Sequence, residues 1–226
     1  MNPRDAAAPG GQPGAGGSCD GDTTSVTRRP DKTLTFAQCL DLLDLHDDEW
    51  LSFGTEPRVN GRFHGRQFQV GHLKALDLAA YENHNVWCGL QPMRKVAKRG
   101  GNVDVLRIAA LFADLDIDPQ KIPTYEALVK VVDLLSDMVG DAPVYVTFSG
   151  HGFQPVWKVD PDDSADLDLM LPLLGRWGQL VKQVAVTCGG TADGVFDPAR
   201  LLRVPDTTNW KNPQVPVGTW AAVRLS

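Results

Sequence analysis

The segment Ile108-Ala109-Ala110-Leu111-Phe112-Ala113-Asp114-Leu115-Asp116 sets six consecutive apolar residues directly ahead of an acid–apolar–acid triplet. A short apolar run with no polar face reads as a buried strand. Side chains alternate faces along a strand, so Asp114 and Asp116 project together while Leu115 turns into the opposite layer. Any fold this chain adopts must therefore accommodate a buried strand with an acidic tip. Two carboxylates on one face repel, and they share either a proton or a cation. A divalent ion resolves the conflict by coordinating both, and hard oxygen donors suit magnesium or manganese.

Helical and extended patterns alternate around this strand. Thr35 and Gln38 have capping-box spacing, and Phe36, Leu40 and Leu43 follow at helical intervals. A second amphipathic helix is expected over residues 72–81, with Leu73, Leu76 and Ala80 on one face, and a strand over 85–90. Beyond the acidic tip, residues 124–138 read as a helix with Leu128, Val131, Leu135 and Met138 in phase, and residues 143–148 as a strand. After a Ser149–Gly152 turn come a strand over 156–159, a long helical region to about 186 that breaks or restarts near Pro172, and a short strand over 201–204. This order implies an α/β or α+β domain, not an all-α or all-β one. Residues 1–31, rich in Gly, Ala, Pro, Ser and Thr, have almost nothing to bury and read as a disordered tail.

The formal charge of −6 over 226 residues argues against a protein that coats nucleic acid through bulk positive potential. It leaves room for a local basic patch, and Arg94, Lys95, Lys98 and Arg99 supply one, a candidate contact for nucleic-acid phosphates. Cys19, Cys39, Cys88 and Cys188 are widely spaced and suggest neither a zinc site nor a disulfide framework, as expected of a reducing cytoplasm. No apolar run reaches the length of a membrane span. Trp87, Trp157 and Trp177 are expected in the core.

Two further segments carry chemistry-bearing residues. Ser149-Gly150-His151-Gly152-Phe153-Gln154 follows a strand directly; glycines allow close backbone approach to an anion, and Ser and His can hydrogen-bond phosphate oxygens. The stretch from Asp193 to Lys211 sets Asp193 or Asp197 ahead of Arg200 and Arg203, followed by Pro205, Thr207, Thr208, Asn209 and Lys211. On a strand over 201–204, Leu201 and Arg203 share one face and Arg200 and Leu202 the other. Arg203, as a planar fork, and Lys211, as a compact charge, could then face a triphosphate.

In this order the three segments resemble the archaeo-eukaryotic primase superfamily, and most closely its phage and plasmid primase-polymerases. That family carries D-x-D or D-x-E, then S-x-H or S-G-x-G-x-H, then an acid followed by R-x-x-R-x-P-G-T-x-N-x-K. The corresponding residues here are Asp114 and Asp116; Ser149 and His151; and Asp193 with Arg200, Arg203, Pro205, Thr207, Asn209 and Lys211. Gln154 stands where the longer second motif has His, so either His151 or Gln154 meets the nucleotide. Asp206 replaces the Gly of P-G-T and adds negative charge near the presumed phosphate site.

The resemblance implies an α+β fold: an RNA-recognition-motif-like antiparallel sheet flanked by helices (residues 106–226), with a smaller N-terminal α/β unit (32–105). It implies a template-directed nucleotidyltransferase, a DNA primase and polymerase of mobile-element replication. Asp114, Asp116 and Asp193 would hold two Mg²⁺ or Mn²⁺ ions, with Asp197 the alternative third ligand. Ser149, His151, Arg203 and Lys211 would bind the nucleoside triphosphate. Partners would be template and primer DNA and a helicase or helical primase-associated domain C-terminal to this segment; the location would be the cytoplasm, a host's if phage-encoded. Two other readings compete: an inactive nucleotide- or nucleic-acid-binding module, and a rolling-circle nicking enzyme. The latter needs an H-x-H metal motif that is absent here.

Overall fold

The computed structural model describes residues 29–59, 61–161, 165–194 and 196–225. Most of the tail expected over residues 1–31, with Cys19, lies outside the described residues. Two antiparallel sheets organise the rest. The first contains β1 (Trp50–Pro57), β2 (His64–Gln69), β3 (His84–Gly89) and β8 (Leu201–Arg203), in the order β2-β1-β3-β8. The second contains β4 (Ala110–Phe112), β5 (Leu115–Asp116), β6 (Tyr145–Phe148), β7 (Gly152–Lys158) and β11 (Trp220–Ala222), in the order β11-β6-β7-β4, with β5 also on β7. A two-stranded ribbon of β9 (Thr208–Asn209) and β10 (Val217–Gly218) completes the set. Every pairing between named strands is antiparallel, as an α+β fold requires.

Helices α3 (Tyr125–Val139) and α4 (Leu167–Thr187) pack on each other and cover one face of the second sheet. Leu128, Val131, Leu135, Trp177 and Val181 from the helices join Val146, Phe148, Phe153 and Trp157 from the sheet in one core. The opposite face of the same sheet contributes Ala110, Phe112, Tyr145 and Val156 to a second core. That core is shared with β1, β3 and the capping-box helix α1 (Phe36–Asp41). Strand alternation thus sends Phe112, Asp114 and Asp116 to the face that looks toward the first sheet, apolar in the core and acidic at its edge. β8, more than a hundred residues beyond β3, pairs with it and closes the first sheet beside this edge. The last motif is thereby brought to the first.

Several elements differ from the sequence reading for identifiable reasons. The helix expected over 72–81 is two pieces, α2 (Val70–Lys74) and a 3₁₀ turn (Leu78–Tyr81), because the Asp77 carboxylate accepts from the Ala79 N–H and caps a new start. Leu73 is buried, but Ala80 faces solvent. The strand expected over 108–116 divides into β4 and β5 opposite Pro155. Ala113 donates to the Pro155 carbonyl at 3.2 Å, and the imide cannot return the bond. α4 runs through Pro172 without a break: Asp168, whose carbonyl loses its helical donor there, is solvent-exposed, where water can take over. α3 matches expectation, with Thr124 as N-cap and Gly140 in the left-handed region closing it, although Met138 is exposed. Among the described residues no helix is long and apolar enough to cross a membrane.

Candidate active site

The acidic wall is built by the register of β4, β5 and β7. Leu115 pairs with Phe153 and Asp116 with Gly152, which sets Asp114 opposite Gln154. The Gln154 side chain is buried and bridges: its Nε2 donates to Asp114 Oδ1 at 3.0 Å, and its Oε1 accepts from the Arg203 N–H at 2.9 Å. Gly152 allows this close approach, since a Cβ there would lie 2.0 Å from the Leu115 carbonyl oxygen and 2.6 Å from Asp116 Cα. Burial raises the Asp114 carboxyl above the usual carboxylate range. The Gln154 hydrogen bond opposes that shift, Asp116 and Asp193 add to it, and Arg200, with Nη2 at 3.7 Å, opposes it.

Asp193 arrives from the segment after α4 and meets Asp116 through a residue the sequence reading passed over. Lys121 Nζ donates to Asp116 Oδ2 at 2.6 Å and to Asp193 Oδ2 at 2.8 Å, so the two carboxylates lie within a two-hydrogen-bond span. These bonds raise the Lys121 pKa, Asp116 contributing most. Asp197 touches neither acid in the described hydrogen bonds and ion pairs; its carbonyl accepts from the Arg200 N–H.

The opposing wall is cationic. Arg203 pairs with Trp87 across β8 and β3, and its guanidinium sits 4.3 Å from the Trp87 ring centroid. Nη1 donates to Asn85 Oδ1 at 2.8 Å and Nη2 to Asn209 Oδ1 at 3.0 Å. Burial lowers its pKa to about 10, so it remains a cation at neutral pH. No carboxylate lies within ion-pair distance of it among the described residues. Asn209 is the joint of this wall. Its Oδ1 also accepts from the Lys211 N–H at 2.9 Å, and its Nδ2 donates to the Ser149 carbonyl at 2.7 Å. Gly150, at φ +99°, provides the space, since a Cβ there would meet the Asn209 side chain at 3.0 Å.

Asp114, Asp116, Ser149, His151, Arg203 and Lys211 all line one cleft of about 180 Å³, together with Trp87, Gln154, Arg200, Leu201 and Asn209. His151 stands at the open side of the cleft, and the partial loss of water around its ring, with nearby Lys211 next, holds its pKa below the ordinary histidine value against the opposing pull of Asp116. The Ser149 hydroxyl donates to the Gly152 carbonyl at 3.1 Å, so in this state it presents acceptors to the cleft rather than a proton.

Three expectations are corrected here. Arg200 does not share a face with Leu202: it precedes β8 and lines the cleft, its buried Nε without a hydrogen-bond partner. Trp87 forms part of the cleft wall, whereas Trp157 and Trp177 are core. Asp206 adds no charge to the cleft, which it does not line. It occupies the left-handed region at φ +59°, and its carboxylate pairs with Arg29 at 2.6 Å. The backbone conformation explains why a glycine suits that position equally.

Arg94, Lys95, Lys98 and Arg99 stand elsewhere. Lys98 lines a larger groove, about 740 Å³, with Arg62, Phe63, His64 and Arg66. Lys95 lies over Trp50 at 4.5 Å and Arg99 over Phe63 at 6.0 Å. Phe63 also packs on Trp87, ring centroids 5.9 Å apart, so the groove and the acidic cleft share a wall. Arg62 and Arg66 were not singled out in the sequence; they lie on β2 and its entry loop, outside any motif.

The donor set fits a hard divalent cation in kind: three carboxylates, with an ammonium standing between two of them as a surrogate. Among the described residues, however, no three such side chains are already gathered at metal-binding distance, Asp114 being turned to Gln154 and Arg200.

No protein-family model matches the chain, and no curated protein matches it. Two solved structures do. The crystal structure of primase RepB′ has a TM-score of 0.48 and 16% identity, covering 84% of this chain and 56% of that one. The catalytic domain of primase RepB′ in complex with initiator DNA has a TM-score of 0.48 and 16% identity, covering 85% of this chain and 86% of that one.

Proposed function

We propose that this cleft is the active site of a metal-dependent, template-directed nucleotidyltransferase, a DNA primase and polymerase. The observation that carries the reading is the meeting, in a single cleft, of Asp114 and Asp116 with Arg203, Lys211 and His151 from two other motifs. In this reading the 3′-oxygen of a primer attacks the α-phosphorus of a nucleoside triphosphate, the bond to the β-bridging oxygen breaks, the hydroxyl proton passes to solvent, and pyrophosphate leaves. Divalent cations held by Asp114, Asp116 and Asp193 would supply Lewis-acid activation of the hydroxyl and neutralise charge on the leaving group.

The protein's own part is positioning and fixed charge, with no covalent nucleophile required. Arg203 is held from three sides by Asn85, Asn209 and the Trp87 ring, so its fork loses little freedom when it takes a phosphate. Lys211 and His151 flank the same space, Lys211 as a compact charge and His151 as a neutral hydrogen-bonding group at pH 7. Gln154 aligns Asp114 and ties it to the Arg203 backbone, a positioning role. Arg94, Lys95, Lys98 and Arg99, with Arg62 and Arg66 in the adjoining groove, would follow template and primer phosphates.

Primer extension on a labelled primer–template with Mn²⁺ or Mg²⁺ tests the proposal. Asp116→Asn is expected to abolish incorporation while Lys158→Gln, which removes an exposed pair with Asp44 outside the cleft, leaves it intact. Absence of extension by the unaltered protein, with nucleotide binding retained, favours a non-catalytic binding module instead.

A further inference from the structure

We propose that the Lys121 ammonium is a built-in counter-ion for the acid cluster, holding Asp116 and Asp193 together in the metal-free protein and leaving when a divalent ion binds. The proposal rests on the metal-dependent reading above and adds a residue that no motif contains.

The backbone carrying Lys121 is pinned on three sides. The Asp118 carboxylate accepts from the Gln120 N–H at 2.8 Å, and the Asp118 carbonyl accepts from the Lys121 N–H at 2.9 Å. Ile122 is buried beside it. The Lys121 carbonyl in turn accepts from the Thr191 N–H at 3.0 Å, two residues before Asp193. A rigid turn thus joins the end of β5 to the segment after α4 and aims one flexible side chain between the two acids. Contacts of 2.6 and 2.8 Å have the lengths of charge-assisted hydrogen bonds. Among the described residues no other basic side chain lies within ion-pair distance of either carboxylate. Without Lys121 the two anions would face each other, and Asp114, buried alongside, would add to the repulsion.

The ammonium takes up the oxygen lone pairs that a bridging cation would need. Two cations cannot share these oxygens at close range without strong like-charge repulsion. Metal binding is therefore an exchange, in which two ion pairs break as the carboxylates turn to the ion. The side chain is about one-third exposed, which gives it a route out toward solvent. Two consequences separate this role from a simple structural latch. Neutralising Lys121 should weaken the metal-free fold yet tighten metal binding, whereas a latch, once lost, would weaken both.

The test uses the full chain without nucleotide, titrated with Mn²⁺ and followed by electron paramagnetic resonance of the free ion, with thermal unfolding measured in parallel. Lys121→Gln is expected to bind Mn²⁺ about tenfold more tightly than the unaltered chain. In chelator it should melt several degrees lower, with saturating Mn²⁺ closing the gap. Lys121→Arg, which keeps the charge, should resemble the unaltered protein in both measurements. Equal or weaker Mn²⁺ binding by Lys121→Gln, with Asp116→Asn abolishing binding, would overturn the exchange and leave the metal centre standing. No Mn²⁺ binding by the unaltered chain and by Lys121→Gln would overturn both.

Discussion

Asp114 loses most of its water on folding and has Asp116 and Asp193 for neighbours, so burial and like charge both work against its ionised form, and only Gln154 and Arg200 work for it. A carboxyl whose folded pKa lies above its unfolded value stabilises the fold most in acid, and that contribution is lost as the pH rises through the folded pKa. Asn does not titrate and keeps an oxygen for the Gln154 N–H. Asp114→Asn is therefore expected to raise the melting temperature of the metal-free protein at pH 7.5 by roughly 2–4 °C, about 1 kcal/mol, while eliminating primer extension. The gain should vanish as the pH falls toward 4, and a pH-independent gain would mean that charge is not its cause. Arg203 is bound by geometry as much as by charge. Lys in its place keeps the cation but cannot span Asn85 and Asn209, so Arg203→Lys should raise the KM for nucleotide about tenfold, roughly 1.4 kcal/mol, with little loss in kcat. A fall confined to kcat would place the guanidinium on the transition state instead.

The acids owe their placement to one strand pair, β5 on β7, whose separation is set by Gly152. A methyl group there meets the Leu115 carbonyl and Asp116 Cα, both backbone atoms, so the strands must part for it. Gly152→Ala is expected to cost about 2–3 kcal/mol in chemical denaturation, in line with overpacking, and to reduce primer extension further than the lost stability explains, because Asp116 moves with β5. Full activity at reduced stability would show that the tip tolerates displacement. At this scale much of the site was legible in sequence: a period of two put Asp114 and Asp116 on one face, and the Thr35–Gln38 capping box marked a helix start that the structure keeps. Pro155 was legible as a residue but not as a partner of Ala113, which depends on register. Gln154 was marked as a candidate nucleotide contact but not as the bridge from Asp114 to the Arg203 backbone, and Asn85 and Lys121 were harder still. Asn85 reaches Arg203 across 118 residues, and Lys121 reaches Asp193 across 72, contacts that no local pattern announces. Each acts through tertiary proximity alone.

Across the whole molecule, β8 crosses into the first sheet after α4 and brings Arg203 against Trp87, while Phe63 packs at a tilt on that indole. The acidic cleft and the basic groove are thus two sides of one aromatic wall, and a chain with net charge −6 still presents a cationic track beside its candidate active site. Phosphates bound along that track would release counterions, and for single strands the logarithm of the binding constant falls with the logarithm of salt by about 0.7 per contact. Arg62 and Lys98 line the groove but not the cleft. Replacing both with Ala should reduce the salt slope for single-stranded DNA by about 1.4 if each holds one phosphate. Binding should weaken by a similar factor on every sequence, since backbone contacts carry no base information. Nucleoside triphosphate binding, which belongs to the other side of the Trp87 wall, should stay within about twofold; this pairs with the salt slope because loss of a phosphate contact lowers the slope whereas a general loosening of the fold would weaken both ligands together. Fluorescence anisotropy across a salt series reads the first quantity and competition with labelled nucleotide the second, and an unaltered slope would put the DNA path somewhere other than this groove.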